Sequence, residues 1–218
     1  MTFSLLGRCA RTGQFGAAVT TSSIAVGTRV PFLAAGVGGV LTQHRTDPRL
    51  GPRGLDLLRS GCSAEEALAA IVASTPDHRW RQIAVMDRQG RTAHFDGARV
   101  KPARSVCHGK DVVALGNILA NERVAHAMAD AFLASADQPL AERLVRALEA
   151  GEAAGGEHGE VTSASLMVVD REVFPYVDLR IDKAVGPIPA LRRLWEEYAP
   201  LADGFVKRAI DPEDAPII

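Results

Sequence analysis

The amino-acid sequence predicts a layered α+β fold built on antiparallel sheets. Segments with strand character and segments with helical character come in blocks along the chain, whereas they alternate one by one in parallel α/β proteins. Most strand segments are almost uniformly apolar or small, which is typical of strands covered on both faces. The chain has 218 residues, 47% of them hydrophobic and 5% aromatic. This length and composition fit one domain with a core of ordinary size.

The first 45 residues read as short strands separated by turns, at residues 3–7, 16–21 and 36–43. Alanine and glycine are frequent in these segments. Such small residues suit strands that lie close between another sheet and a helical layer.

Helices and a hairpin follow these strands. Pro52 suits the first turn of a helix that ends at Arg59. Ser63, with a glutamate three residues further on, has the capping-box pattern that begins a second helix. The turn sequence at residues 87–90 predicts a hairpin of two strands on either side of it.

The second half of the chain contains further strands and helices. Strands are predicted at residues 112–116, 163–169 and 176–181. Helices are predicted at residues 122–134, 139–150 and 189–198, and residues 151–159 are predicted to be a flexible loop rich in glycine and acid. We assign residues 1–198 to a single domain and residues 199–218 to a C-terminal tail.

Charge and hydropathy exclude several classes of function. The 25 basic and 26 acidic side chains give a net charge of −1, which provides no long-range attraction to nucleic acid or to an anionic membrane. No apolar stretch reaches the length of a membrane span, and the N-terminus lacks the basic region of a secretory signal, so we expect a cytoplasmic protein. The three widely spaced cysteines are expected to be reduced, buried thiols.

Several common catalytic signatures do not occur in the sequence. It contains neither a Gly-x-Ser-x-Gly nucleophile elbow nor a Walker loop, and residues 36–39 lack the full spacing of a dinucleotide-binding loop. We therefore expect no cofactor. The histidines show no close metal-binding pair, and we expect no metal. One open alternative is a metal-dependent hydrolase assembled from His44, His94 and His108.

The candidate chemistry lies at position 2. Thr2 is small enough to permit removal of the initiator methionine, which would leave a free α-amine at the start of the first strand. An N-terminal threonine carries a nucleophile and a base in one residue, because the amine takes the hydroxyl proton as Oγ attacks a carbonyl. Polar residues end the next two strands, at 20–23 and 42–44, and we expect them to lie beside Thr2.

Short motifs along the chain resemble those of the family called domain of unknown function 1028. They include Met1-Thr2-Phe3-Ser4, Ala35-Gly36-Val37-Gly38, Thr42-Gln43, Gly51-Pro52-Arg53-Gly54-Leu55, Gly116-Asn117-Ile118-Leu119 and Tyr176-Val177-Asp178-Leu179-Arg180. The similarity runs in order from about residue 1 to residue 198. It implies a place among the N-terminal nucleophile hydrolases, which stack two antiparallel sheets between helical layers in a four-layer αββα sandwich and hydrolyse amide bonds.

The resemblance also implies roles for particular residues. Thr2 is the expected nucleophile, and its α-amine is the expected base. Ser22, Gln43 and Asn117 are expected to line the site as substrate-binding or oxyanion-binding groups, and Arg53 to bind a substrate carboxylate. Each of these four has a structural alternative: a turn hydroxyl for Ser22, a strand-end hydrogen bond for Gln43, a helix N-cap for Asn117 and a surface ion pair for Arg53.

We therefore expect an N-terminal-nucleophile amidohydrolase that cleaves a small amide or peptide-like bond. Its expected partners are the small-molecule substrate and a second copy of the chain, since an amphipathic helix carrying Leu191 and Leu194 favours a homodimer. The alternative is a non-catalytic protein that keeps the sandwich, retains Met1 and uses the cleft to bind a metabolite or a partner.

Overall fold

The computed structural model describes residues 1–217. Its strands are β1 (Thr2–Arg8), β2 (Phe15–Thr21), β3 (Pro31–Ala34), β4 (Gly38–His44), β5 (Arg81–Asp87), β6 (Thr92–Asp96), β7 (Arg104–Gly109), β8 (Val112–Asn117), β9 (Ser163–Val169) and β10 (Val177–Ile181). Its α-helices are α1 (Leu50–Arg59), α2 (Ala64–Ala73), α3 (Arg123–Ala134), α4 (Leu140–Ala153), α5 (Pro187–Tyr198) and α6 (Ala202–Ile210).

The described strands form two antiparallel sheets. Sheet A has the order β10-β9-β2-β1-β8-β7, so β1 lies in its interior, and sheet B has the order β3-β4-β5-β6. In sheet A, Thr2 of β1 pairs with Asn117 of β8. In sheet B, Gln43 of β4 pairs with Gln82 of β5. The ends of these strands therefore bring polar residues to one end of each sheet.

The helices and sheets stack in four layers. Helices α3, α4 and α5 cover the outer face of sheet A, helices α1 and α2 cover the outer face of sheet B, and the inner faces of the sheets pack on each other. The prediction of a layered α+β fold with antiparallel sheets is confirmed. Among the described residues, we find no helix whose length and apolar character would let it cross a membrane.

Strand β1 contributes side chains to two hydrophobic clusters, one between sheet A and its helices and one between the two sheets. Phe3 and Leu5 pack in the cluster under the helices, whereas Leu6 packs in the cluster between the sheets. Because successive side chains of a strand point to opposite faces, Thr2 and Ser4 share the inter-sheet face with Leu6. This register places the first polar side chains of the chain between the two sheets.

Two glycines of α1 allow this helix to lie close to sheet B. A Cβ atom on Gly51 would lie 2.1 Å from Cγ of Phe32, and one on Gly54 would lie 2.8 Å from Cγ2 of Val40. Neither distance leaves room for a methyl group, so glycine is required for this close approach. The motif at residues 51–55 therefore has a packing function.

The structure differs from the predicted elements at several points. The sequence patterns do not predict β3 or β7, because both are edge strands with incomplete burial. Helix α4 continues through Gly151, which packs where a Cβ atom would lie 2.8 Å from Cγ of Met128. In the predicted tail, residues 202–210 form α6, and residue 218 lies outside the described residues.

A capping box formed by Ser63 and Glu66 begins helix α2. Oγ of Ser63 accepts from the Glu66 amide at 3.2 Å, and Oε2 of Glu66 accepts from the Ser63 amide at 2.8 Å, so the predicted capping box is confirmed. Replacing Ser63 with alanine is expected to lower the free energy of unfolding by about 1 kcal/mol, because one helix amide loses its acceptor. Urea unfolding measures this change. The matched variant Ser63→Thr should stay close to the wild type, and equal stability of Ser63→Ala and the wild type would contradict the assignment.

Candidate active site

The candidate site lies at the start of β1, in the space between the sheets. Thr2 is 5% exposed, and its Oγ1 lies 3.2 Å from Oγ1 of Thr21 at the end of β2. Both hydroxyl groups also donate to the carbonyl oxygen of Met1. Because β1 pairs with β8 on one side and β2 on the other, the Thr2 side chain is held in one direction.

A chain of buried side chains links the two sheets near Thr2. Oγ of Ser4 donates to Oε1 of Gln43 at 2.7 Å. Nε2 of Gln43 donates to Oε1 of Gln82 at 2.7 Å, and the same oxygen accepts from Nδ2 of Asn117 at 2.9 Å. All four side chains are fully buried, where polar groups need hydrogen-bond partners to be stable. We call the hydrogen-bonded side chains of Gln43, Gln82 and Asn117 the amide chain. We interpret it as the connection that fixes the spacing of the sheets beside the site.

Gln82 makes further hydrogen bonds to both sheets, and Asn117 leaves one acceptor unused. Nε2 of Gln82 donates to Oδ1 of Asp96 at 2.9 Å and to the carbonyl oxygen of Gly116 at 3.1 Å. Within residues 1–217, Oδ1 of Asn117 is buried and accepts no hydrogen bond. Asn117 is the ladder partner of Thr2, so this acceptor lies in the strand next to the candidate nucleophile.

A buried carboxyl group lies at the same end of the molecule. Glu157 is 6% exposed, and its Oε2 accepts from the backbone amide of Ser22 at 3.2 Å. Its Oε1 is buried and has no hydrogen-bond partner in the described part of the chain. Burial raises the pKa of Glu157 to about 7, and the α-ammonium group of Met1 acts in the opposite direction. Burial also lowers the pKa of that α-ammonium group, while the charge of Glu157 raises it.

An open cavity of about 590 Å³ leads to Glu157. Its charged lining consists of three carboxyl groups, on Glu152, Glu157 and Glu160, and one ammonium group, on Lys183. Phe3 and three glycines between residues 155 and 159 also line it. The cavity is therefore acidic, and its lining includes several glycines, which have no side chains.

Three of the predicted site residues come together in the structure. Thr2, Gln43 and Asn117 all face the space between the sheets, and Asn117 ends β8 instead of capping a helix. Ser22 lies beside them and contributes its backbone amide to Glu157. The roles expected for these residues stay predictions.

Arg53 lies elsewhere, in α1, on the outer side of sheet B. Its guanidinium group donates to the carbonyl oxygen of Ser74 at 3.4 Å and to the Ser74 hydroxyl. Sheet B separates this helix from the space between the sheets. The structure therefore does not place Arg53 where it would bind the carboxylate of a substrate held at Thr2.

The three histidines of the metal-dependent alternative do not converge. Nδ1 of His94 lies 2.8 Å from Nε2 of His108, where the edges of β6 and β7 meet. Nδ1 of His44 instead contacts the carbonyl oxygen of Trp80 at 2.9 Å. In residues 1–217 no group of three or more His, Cys, Asp or Glu side chains is arranged to hold a metal ion. The ligand set of that alternative is not assembled.

Sequence patterns do not single out two residues of this site, Gln82 and Glu157. Gln82 is a polar residue near the start of an apolar strand, and this position is the signal that would have indicated it. Glu157 lies in the segment predicted as a flexible loop, where residue periodicity is uninformative. The structure instead ties this segment to residues 118–120 by backbone hydrogen bonds, including that from the Ala120 amide to the Gly156 carbonyl at 3.0 Å.

Comparison with known proteins identifies one family. The model of the family described as "Family of unknown function (DUF1028)" matches residues 2–191. The crystal structure of protein SPO2555 from Silicibacter pomeroyi, also described as DUF1028, is similar with a TM-score of 0.85 and 32% identity, covering 91% of this chain and 86% of that chain. Anbu, the ancestral beta-subunit from Yersinia bercovieri, gives a TM-score of 0.42 and 12% identity, covering 94% and 97%. No curated protein matches the chain.

The amide chain predicts a large effect of one substitution on stability. Gln82→Leu removes the acceptor of Gln43 and Asn117 and leaves their amide groups unpaired in the interior. We expect a loss of about 2–4 kcal/mol in the free energy of unfolding, measured by urea denaturation. Gln89→Leu, at an exposed position in the turn after β5, serves as the control and should change stability by less than about 0.5 kcal/mol. A loss for Gln82→Leu no larger than that of the control would contradict the interpretation.

Glu157 predicts a dependence of stability on pH. Its pKa of about 7 in the folded protein lies above the ordinary value of 4.5, so the folded state retains a proton that the unfolded state has released. Its contribution to stability is therefore complete below pH 4.5 and is lost as the pH rises through about 7. Relative to the wild type, Glu157→Gln should gain stability between pH 5 and pH 8, by up to ~3 kcal/mol.

The measurement is the free energy of unfolding of both proteins across this pH range. Glu160→Gln removes an exposed carboxyl group from the same cavity and should follow the wild-type profile. Parallel profiles for the wild type and Glu157→Gln would show that Glu157 ionises normally.

Proposed function

The chain belongs to DUF1028, a family of unknown function, and from that premise we propose that it is an amidohydrolase with Thr2 as an N-terminal nucleophile. The proposed substrate is a small amide or a short peptide-like amide. The observation that carries the proposal is the position of the Thr2 hydroxyl group, which is buried at the start of an interior strand and lies 3.2 Å from the Thr21 hydroxyl group.

The layer order supports the proposal. Helices, sheet, sheet and helices follow one another across the molecule, which is the arrangement that the resemblance to N-terminal nucleophile hydrolases implies. Thr2 also lies between the two sheets, where the amide chain fixes the surrounding strands. A nucleophile on a strand held in this way is better oriented than one on a loop.

The proposed reaction begins after Met1 has been removed. The Thr2 α-amine takes the proton of Oγ1, directly or through water, as Oγ1 attacks the carbonyl carbon of the substrate amide. The C–N bond then breaks, the leaving nitrogen receives that proton, and an ester on Thr2 remains. Water attacks the ester, releases the acid product and restores the hydroxyl group.

The contacts of Met1 show where a carbonyl group fits in this site. Its carbonyl oxygen accepts from the hydroxyl groups of Thr2 and Thr21. A substrate carbonyl bound nearby would find the Thr21 hydroxyl group as a donor while Thr2 attacks. Donors placed where negative charge develops stabilise the transition state of acyl transfer. We therefore include Thr21 in the proposed machinery.

Burial favours the free-base form of the α-amine of Met1, the residue before Thr2. Desolvation lowers the pKa of the Met1 α-ammonium group, although Met1 is 37% exposed. An α-amine has a reference pKa of about 7.7 to 8.0, so a useful fraction of a free Thr2 amine is unprotonated near neutral pH. An amine with a lowered pKa is available as a base near neutral pH.

A second candidate is a non-catalytic protein that retains Met1 and binds a metabolite or a partner. The observation that favours it is the satisfied state of both hydroxyl groups, which donate to the Met1 carbonyl oxygen. In that form the Thr2 nitrogen belongs to a peptide bond and cannot act as a base.

The test combines intact mass with substitution of Thr2. We expect the purified protein to lack the mass of one methionine and to hydrolyse members of a panel of small amides. Thr2→Ala should reduce this activity by about three orders of magnitude or more, because the attacking oxygen is lost, whereas Thr2→Ser should retain a measurable part. Thr12→Ala, at an exposed threonine, is the control.

Two results would refute the proposal. One is full activity of Thr2→Ala, and the other is hydrolysis by protein whose mass shows that Met1 is retained. Stabilisation by a ligand without turnover, in protein that keeps Met1, would support the second candidate.

A further inference from the structure

Met1 occupies a defined space at the site. Its carbonyl oxygen lies against the hydroxyl groups of Thr2 and Thr21. Its side chain lies over Gly159, where a Cβ atom would be 3.7 Å from Cε and 3.9 Å from Sδ of Met1. Removal of Met1 would therefore open a space that fits one aminoacyl group, with its carbonyl next to the nucleophile.

Glu157 provides an unpaired carboxyl oxygen in the cavity whose lining includes Gly159, the residue that contacts the Met1 side chain. The side chain lines the cavity and is more than nine-tenths buried. One of its oxygens accepts from the Ser22 amide, and the other, Oε1, is buried without a partner in the described residues. A buried carboxylate oxygen without a donor costs free energy, so a ligand that supplies a donor there gains affinity.

The charges around Glu157 favour a cation. Three carboxyl groups and one ammonium group line the cavity. Gly159, which contacts the Met1 side chain, lines the same cavity as Glu157, and the charge of the Met1 α-ammonium group opposes the rise in the pKa of that carboxyl group. A substrate ammonium group in the vacated space would meet the same attraction, and a substrate carboxylate would be repelled.

We propose that the space occupied by Met1 is the acyl subsite of the enzyme, and that Glu157 there binds the free α-ammonium group of an aminoacyl amide substrate. This inference rests on the proposed function, because it assigns the substrate class of the Thr2 site. The bond cleaved joins the carbonyl carbon of an α-amino acid to an amide nitrogen. Glu157 is a specificity-determining residue in this scheme, and Thr2 performs the chemistry.

The reaction of such a substrate is balanced without any further reactant. Oγ1 of Thr2 forms a bond with the aminoacyl carbonyl carbon, the C–N bond breaks, and the leaving amine carries away the proton. Water then cleaves the aminoacyl ester, which releases the free amino acid and restores Thr2. An N-acetylated substrate would undergo the same steps but would leave Oε1 of Glu157 without a charged partner.

The first experiment measures binding in a protein that cannot react. The variant Thr2→Ala, with loss of Met1 verified by intact mass, is titrated with L-methioninamide and with N-acetyl-L-methioninamide. We expect the free amine to bind at least about tenfold more tightly and to raise the melting temperature, because only it pairs with Glu157. This comparison of two ligands requires no substitution at Glu157.

Two further variants in the same background assign the effect to one carboxyl group. Glu157→Gln should remove the preference for the free amine, since the glutamine keeps the shape but not the charge. Glu197→Gln, which removes a carboxyl group at an exposed position of α5, should keep the preference. Equal binding of the two amides, or no binding of either, would overturn the inference, as would a preference that survives in Glu157→Gln.

The second experiment separates this inference from the proposed function. The wild type is assayed with the p-nitroanilide of L-methionine and with its N-acetyl derivative, and we expect kcat/KM to favour the free amine by at least about tenfold, mainly through KM. Hydrolysis that depends on Thr2 but shows no preference would overturn the aminoacyl inference and leave the proposed function intact. Binding that depends on Glu157 without any Thr2-dependent hydrolysis would overturn the proposed function and leave the ammonium subsite.

Discussion

The hydrogen bonds that join Gln43, Gln82 and Asn117 determine how the two sheets meet at the candidate site. Over the rest of the interface the inner faces are apolar, with Leu6 and Leu41 among the side chains that fill it. Apolar packing is not directional, so it tolerates small shifts between layers. Amide groups in the interior need donors and acceptors at fixed distances, and they define one spacing of the sheets. The hydrogen bonds therefore define the spacing of the strands next to Thr2.

The polar character of one end of the sandwich follows from the antiparallel register. In sheet A, the N-terminal end of β1 lies beside the C-terminal ends of β2 and β8. In sheet B, the C-terminal end of β4 lies beside the N-terminal end of β5. Each of these strands is apolar for most of its length and carries a polar residue at this end. The polar residues at the ends of these separate strands thus form one buried polar layer, and the Thr2 hydroxyl group lies at its edge.

This register explains which site residues the sequence could indicate. Gln43 and Asn117 end apolar strands, so their positions are visible in the residue pattern. Glu157 lies in a glycine-rich segment, and its burial results from backbone bonds to residues that are distant in the chain, which no local pattern contains. The resemblance of its motif predicts Arg53 at the site, whereas the structure places it in α1, where Gly51 and Gly54 allow close packing on sheet B. The motif that contains Arg53 therefore has a packing function in the structure.

The Glu157 carboxyl group and the Met1 α-ammonium group shift each other's pKa, and both are partly removed from water. Burial raises the pKa of Glu157 to about 7 and lowers that of the Met1 α-ammonium group from 8.0, so the two values approach each other. Burial therefore disfavours the charged form of both groups. A ligand with its own ammonium group would stabilise Glu157 as a carboxylate, whereas a neutral ligand would favour the protonated acid. The charge of the ligand would therefore determine the protonation of the site, and this coupling is a physical basis for selecting a substrate by its amine.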